Sequence, residues 1–251
     1  CMPCPLVTHS RYLKCCSPRL QMNPWPIGKF VSQAHGTNVL TTPILYSFRR
    51  CPYAMRARLT ILSSQTPVIL REILLRDKAP EFLAVSSSGT VPCLVNQDGV
   101  IDESLDIMKW ALAQNDPDQL LDMPDAGWGL ISETDGSFKQ ALDRTKYAAR
   151  YPEQNTDEQR AIAGDFLSRL DQQIGQWLFD HATIADQAIL PFVRQFAFID
   201  KPWFDAQPWP NLQAWLDRFL ISDEFTTIMP KYAKWHAGDI DFTFPNATDA
   251  K

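Results

Sequence analysis

Between Ile44 and Ile61 a short apolar run, Ile44-Leu45-Tyr46-Ser47-Phe48, passes through Arg49-Arg50 into Cys51-Pro52 and then into a helical pattern. A strand that delivers a cysteine to the first turn of a helix leaves little freedom for the fold around it. Proline suits the first helical position, because its missing N–H would have had no intrahelical partner there, so Pro52 sets the helix start and makes Cys51 its cap. Ala54, Ala57, Leu59, Ile61 and Leu62 then supply apolar faces. The unpaired N–H groups and macrodipole of a helix N-terminus stabilise a thiolate. The arrangement therefore predicts a Cys51 thiol more acidic than the ~8.5 of a free cysteine, and chemistry that starts at this residue.

The stretch belongs to a longer alternation of strand and helix. Ile44–Phe48 reads as a strand, Pro52–Ser64 as a helix and Val68–Leu75 as a second strand, a βαβ unit whose strands should be parallel with a right-handed crossover. A short helix over Ala79–Val85 and a Ser86-Ser87-Ser88-Gly89 loop follow. Val91–Asn96 and Val100–Ile101, separated by Gln97-Asp98-Gly99, read as a hairpin with an Asp-Gly turn, and Asp102–Gln114 as a helix with Leu105, Met108, Ala111 and Leu112 on one side. The order β-α-β-α-β-β-α is the thioredoxin-like arrangement. Asp116-Pro117-Asp118 and Met123-Pro124-Asp125 mark a boundary, beyond which no convincing strand is seen. Thr156-Asp157-Glu158-Gln159 reads as a capping box ahead of Ile162, Phe166, Leu170, Ile174 and Leu178, and Thr183-Ile184-Ala185-Asp186 as a second helix start ahead of Ile189, Phe192, Val193 and Phe196. Asn211–Leu220 carries Leu212, Trp215, Leu216 and Phe219 on one face. The expected organisation is an α/β thioredoxin-like domain over residues 42–118, an all-α domain over 124–245 and a tail over 246–251.

Residues 1–41 show no sustained period and are punctuated by Pro3, Pro5, Pro18, Pro24 and Pro26, so they read as a disordered or processed leader. Cys1, Cys4, His9, Cys15 and Cys16 offer metal ligands there, but their spacing matches no zinc module, and no metal is expected. With only Cys51 and Cys93 in the folded-looking body there is no disulfide framework, which fits a reducing compartment such as the cytoplasm. A net charge of −5 argues against nucleic acid as a partner, and no apolar run approaches the ~18 residues of a membrane span. The charge is unevenly spread. Residues 1–71 hold nine Lys or Arg and no acidic residue, leaving 15 basic against 29 acidic residues in the remainder, so an anionic substrate would be drawn to the first part.

Three features of the first domain converge at one edge of a thioredoxin-like sheet: Cys51, Val91-Pro92 at a strand start, and Glu103-Ser104 at a helix start. A proline leading a strand has no N–H to donate; with a cis peptide, the backbone of Val91 is turned outward to pair with an extended peptide. Free N–H groups and a hydroxyl at Glu103-Ser104 suit a carboxylate. Each feature alone is also an ordinary strand or helix start. Cys93, inside a strand, reads as core, His181 and His236 as packing or surface residues, and Phe48, Tyr53 and Trp128 as candidates to line the cleft.

Together Cys51-Pro52-Tyr53-Ala54, Thr90-Val91-Pro92, Glu103-Ser104 and the helical second half resemble the cytosolic glutathione transferase family over roughly residues 42–240, most closely its cysteine-type omega-like and glutaredoxin-like bacterial members. Thr183-Ile184-Ala185-Asp186 with Ile189 and Pro191-Phe192 resembles that family's buried capping motif, which serves folding. The resemblance implies glutathione as co-substrate, a mixed disulfide at Cys51, pairing of the cysteinyl backbone with Val91 beside a cis Pro92, the γ-glutamyl end at Glu103 and Ser104, and Lys78 near the glycine carboxylate. It also implies a homodimer. Ala54 stands where glutaredoxins often carry a second cysteine, so the mechanism would be monothiol. Three readings follow: a thiol transferase working through Cys51, a non-catalytic regulatory or binding protein on the same fold, and a conjugating transferase that activates glutathione with Ser47 or Tyr53.

Overall fold

The computed structural model describes residues 42–246; the cysteine-bearing leader and the last five residues lie outside the described residues. The α/β part consists of β1 (Ile44–Ser47), α1 (Pro52–Ser64), β2 (Val68–Glu72), α2 (Pro80–Val85), β3 (Cys93–Asn96), β4 (Gly99–Ile101) and α3 (Ser104–Gln114). This is a thioredoxin-like sheet with its helices. β1 pairs in parallel with β2, in the register Ile44 opposite Ile69, and antiparallel with β3, where Tyr46 stands opposite Cys93. Period-two alternation sorts the side chains between the two faces. Leu45, Val68, Leu70 and Leu94 join the large core with α1 and α3, while Tyr46, Cys93 and Phe82 of α2 form a smaller cluster on the other face.

The helical part follows as α4 (Asp125–Glu133), α5 (Lys139–Lys146), α6 (Thr156–Gln173), α7 (Ile184–Ala197), α8 (Lys201–Asp205), α9 (Pro210–Ile221) and α10 (Asp223–Ile228). Between α4 and α5 the helical path is kinked over Thr134–Phe138, where Gly136 leaves helical geometry with φ −93° and ψ −106°. The capping motif at α7 forms as expected. Thr183 donates to Asp186 Oδ2 through both its N–H and its hydroxyl, each at 2.9 Å, and Asp186 Oδ1 accepts from Leu178 N at 3.0 Å and Trp215 Nε1 at 3.2 Å. One buried carboxylate thus ties the start of α7 to α9 and to the chain before it.

Two expectations need correction. The cap of α6 is Asn155, whose side chain accepts from the N–H of Asp157 at 2.9 Å, so Thr156 lies inside the helix and the four-residue box does not form. Asparagine is the better cap of the two and stands one residue earlier, so the helix begins at Thr156. The second half is also not wholly helical. After α10 the chain runs back across the α/β part, where Trp235 N donates to Glu72 O at 2.9 Å, and ends in β5 (Phe242–Phe244). β5 adds to β2 antiparallel, with Phe244 opposite Val68, and gives the order β4-β3-β1-β2-β5. This three-residue strand has no sequence period of its own; what holds it is the unpaired edge of β2 and the burial of Phe244, which is fully inaccessible.

Phe244 therefore anchors the returning segment. Phe244→Ala should lower stability by about 3–5 kcal/mol in urea unfolding, the usual cost of truncating a buried phenylalanine, whereas a loss below about 1 kcal/mol would show that the segment is not part of the folded core.

Candidate functional site

Helix α1 is buried on nearly all its faces, and it contains two arginines that are 2% and 1% exposed, Arg56 and Arg58. Residues two apart on a helix point in opposite directions, so the pair reaches to both sides. Arg56 Nε donates to Ser104 Oγ at 3.0 Å, and its Nη atoms form a bidentate pair with the Asp135 carboxylate at 2.9–3.1 Å. The rings of Tyr53 and Phe192 lie 5.1 and 5.3 Å from its guanidinium carbon. Arg58 donates to Ser47 Oγ at 2.8 Å, to Ile228 O at 3.1 Å and to the Glu72 carboxylate. Each charge taken out of water is matched by hydrogen bonds to fixed acceptors, the condition under which a buried arginine is tolerated.

At the N-terminal end of α1 a cleft of about 390 Å3 opens. Cys51, Lys78, Val91, Pro92, Glu103 and Ser104 all line it, joined by Tyr53 and by Asp102. Cys51 caps α1 in an extended conformation (φ −79°, ψ 123°), and its thiol donates to Val91 O at 3.6 Å. The Val91–Pro92 peptide is cis, and the pairing of β3 with β1 stops at Cys93, so Val91 stands outside the sheet ladder. Ser104 opens α3 and is held from behind by Arg56; Glu103 is its exposed N-cap. Gly89, in the left-handed region at φ 61°, lets the loop turn beneath Lys78, whose Nζ would lie 3.9 Å from any Cβ placed there.

The acidity of Cys51 runs opposite to the sequence expectation. Burial in the cleft floor pushes its thiol up, and the N–H groups of Ala54 and Tyr53, with Lys139 and Arg56 beyond them, offset this only in part. The helix N-terminus acts in the expected direction but is outweighed by desolvation, which opposes any charged form. The Tyr53 phenol is pushed up to about 12 by burial and by Asp135, so it keeps its proton. Cys93 is fully buried, with its thiol raised to about 12 by burial and by its hydrogen bond to Asp102, in keeping with a core residue.

Three of the expected residues behave differently. Ser47 is wholly buried and accepts from Arg58, which removes it as a group that could activate a bound thiol. Trp128 packs against the main core under Lys109, 5.1 Å above its ring, and does not line the cleft. Phe48 lines a neighbouring cavity of about 400 Å3 instead. Sequence reasoning missed Asp102, Arg56 and Asp135. Asp102 accepts from Ser86 Oγ at 2.9 Å and Ser87 Oγ at 3.0 Å, pinning the serine loop to the start of α3. Its signal was present as a serine run followed by an Asp at a helix start. Arginines inside an otherwise buried helix were the signal for Arg56. A further cavity of about 430 Å3 around Leu59, Ser63 and Trp215 holds none of these residues. Among the described residues no cluster of His, Cys, Asp and Glu could hold a metal, and no helix is long and apolar enough to cross a membrane.

Residues 45–119 match the model of the glutathione S-transferase N-terminal domain and residues 153–218 that of the C-terminal domain, together more than half of the chain. Among solved structures the chain is similar to glutathione transferase Omega 3C from Trametes versicolor, with 18% identity over 78% of this chain and 87% of that one and a TM-score of 0.64. A glutathione transferase family member from Pseudomonas fluorescens, solved with two glutathione bound, has 19% identity over 75% and 92% of the two chains and a TM-score of 0.63. A glutathione S-transferase from Rhodospirillum rubrum has 22% identity over 76% and 94%, with a TM-score of 0.61. At these identities the structures attest the fold, and the two domain models attest the family. No curated protein matches the chain in sequence.

Two outcomes test the site. The rate of Cys51 alkylation by iodoacetamide should climb with pH to a midpoint above the ~8.5 of a free cysteine, since the raised thiol must be ionised to react; a rate already level at pH 7 would contradict the burial argument. Arg56→Met should cost about 2–3 kcal/mol in denaturant unfolding, less than the 3–5 of a fully buried pair because Asp135 is 29% exposed and keeps contact with water. Unchanged stability would remove Arg56 as a tie between the halves.

Proposed function

The chain belongs to the glutathione S-transferase family, and from that premise we propose that Cys51 is a nucleophile that exchanges thiols with glutathione. The observation that carries the reading is the meeting of Cys51 Sγ and Val91 O, 3.6 Å apart, in a cleft whose other wall is the Glu103-Ser104 start of α3. A tripeptide with a carboxylate at each end and a thiol in the middle matches that lining. Glu103 and Ser104 take the γ-glutamyl end, Val91 pairs with the cysteinyl backbone, Pro92 shapes the strand start, and Lys78 meets the glycine carboxylate. The domains that share this work are residues 42–118 for glutathione and 124–245 for the second substrate's surroundings, with β5 reassigned to the sheet.

In the exchange, the Cys51 sulfur gives up its proton and attacks the glutathione sulfur of a mixed disulfide. The old S–S bond breaks, its electron pair leaves with the other thiol, which takes up a proton, and Cys51 holds glutathione as a disulfide. A second glutathione attacks that disulfide, leaving as oxidised glutathione and restoring the Cys51 thiol. The N–H groups of Tyr53 and Ala54 and the positive charges of Arg56 and Lys139 favour the transient thiolate against its burial. The mechanism is monothiol, because Ala54 offers no second sulfur and the Cys93 thiol is committed to Asp102. A cytoplasmic homodimer completes the proposal.

Reduced protein incubated with oxidised glutathione should gain the mass of one glutathione in wild type and none in Cys51→Ala, and the variant should lose thiol-transfer activity by about 10³-fold or more, as nucleophile deletions do. Full thiol transfer by Cys51→Ala would sink the reading. Absence of both the adduct and any glutathione binding would favour a non-catalytic protein on this fold.

A further inference from the structure

Val91 brings its backbone to the cleft without help from the sheet, because the pairing of β3 with β1 ends at Cys93 and the Val91–Pro92 peptide is cis. Pro92 has no N–H to donate. Side chains hold the pair instead, and both of its flanks lead to one carboxylate. On the side of β3, the Cys93 thiol is hydrogen-bonded to Asp102. On the other side, Thr90 N donates to Ser88 Oγ at 3.1 Å, the Ser88 and Thr90 hydroxyls are 2.7 Å apart, and Ser88 N donates to Asp102 Oδ2 at 3.4 Å. Ser86 Oγ and Ser87 Oγ donate to Asp102 at 2.9 and 3.0 Å, and Ser86 Oγ accepts from Gly89 N at 3.0 Å.

Four donors thus meet the Asp102 carboxylate, which offers about four lone-pair sites. Asp102 lines the cleft, but its oxygens are taken up by the protein, which sets it apart from a group that grips a ligand. Burial raises its carboxyl, yet the Cys93, Ser86 and Ser87 side chains and the Ser88 N–H outweigh this and hold it below the usual carboxylate range. Hydrogen bonds to a charged acceptor are the strong ones. Asp102 also directly precedes Glu103 and Ser104, the cap and first residue of α3. Val91 and the start of α3 are therefore referred to a single side chain, which sets the span between them.

We propose that Asp102 is a positioning residue for glutathione: it holds the Val91 backbone at a fixed span from the Glu103-Ser104 helix start, and so governs affinity for the tripeptide rather than chemistry at sulfur. The inference rests on the reading of this cleft as a glutathione site. The acidity of Cys51 is set elsewhere, by its burial, by the Ala54 and Tyr53 N–H groups and by Lys139 and Arg56.

The test measures binding of S-methylglutathione, which has no free thiol to exchange, by calorimetry alongside the thiol-transfer kinetics. Asp102→Ala should weaken that binding and raise KM for glutathione by about tenfold, the scale of one charge-assisted hydrogen bond. Its kcat and the pH midpoint of Cys51 alkylation should stay near those of wild type. The Ser86→Ala, Ser87→Ala double variant, which keeps the carboxylate and removes two of its donors, should weaken binding likewise. Adding Asp102→Ala to it should cost little more, because groups in one network are not additive. Binding unchanged in both variants, a fall in kcat with KM unmoved, or losses that add in full, the mark of a carboxylate touching the ligand directly, would each overturn the proposal. The serine variant retains the charge and carries the test by itself where Asp102→Ala fails to fold. A wild type that binds no S-methylglutathione would instead overturn the glutathione reading beneath it, and one that binds it but forms no adduct at Cys51 would overturn only the exchange chemistry.

Discussion

Everything near the cleft depends on two guanidinium groups buried in one helix. α1 is enclosed by α3, α7 and α10, so arginines at positions 56 and 58 have no route to water and must find fixed acceptors. Arg56 finds Ser104 and Asp135, and Arg58 finds Ser47, Glu72 and the Ile228 carbonyl. Through these contacts the start of α3, the end of β1, the kink between α4 and α5, and the chain leaving α10 are all referred to a single helix. A charge in such a place is worth little as net stability, since desolvation consumes most of the attraction. Its value is positional: the acceptors can be satisfied only when the α/β and helical parts are docked in one register.

The same enclosure decides the chemistry of Cys51. A helix N-terminus lowers the pKa of a thiol by presenting N–H groups to the thiolate, and here Tyr53 and Ala54 do so. Packing that helix deeply enough to carry two buried arginines also draws its cap partly out of solvent, and the penalty on the charged form exceeds the gain. The resting thiol is therefore protonated and bonded to the Val91 carbonyl.

Much of this was legible in the sequence. The bounds of α1 coincide with the expectation because Pro52 and the apolar period after it specify a start and a face locally. Six residues from four separate stretches meet in one cleft because the thioredoxin-like order brings those loops to one sheet edge. The misses share a different cause. Asp135 is 79 positions from Arg56, and no periodicity links them. β5 is held by the edge of β2, 176 positions before it in the pairing of Val68 with Phe244, rather than by its own pattern. The sign of the Cys51 shift follows from burial, a property of the assembled fold and not of the helix start. Phe48 and Trp128 read alike as aromatic cleft candidates, and only the packing of α4 and the returning chain separates them.

The proposed chemistry requires Cys51 to meet glutathione in this cleft. A crystal structure of the protein after exposure to oxidised glutathione measures that directly. Continuous electron density should run from Cys51 Sγ to a glutathione sulfur, with the γ-glutamyl end against Glu103 and Ser104 and the cysteinyl backbone against Val91. Glutathione bound in the cleft with its sulfur turned away from an unmodified Cys51, or bound elsewhere on the molecule, would contradict it.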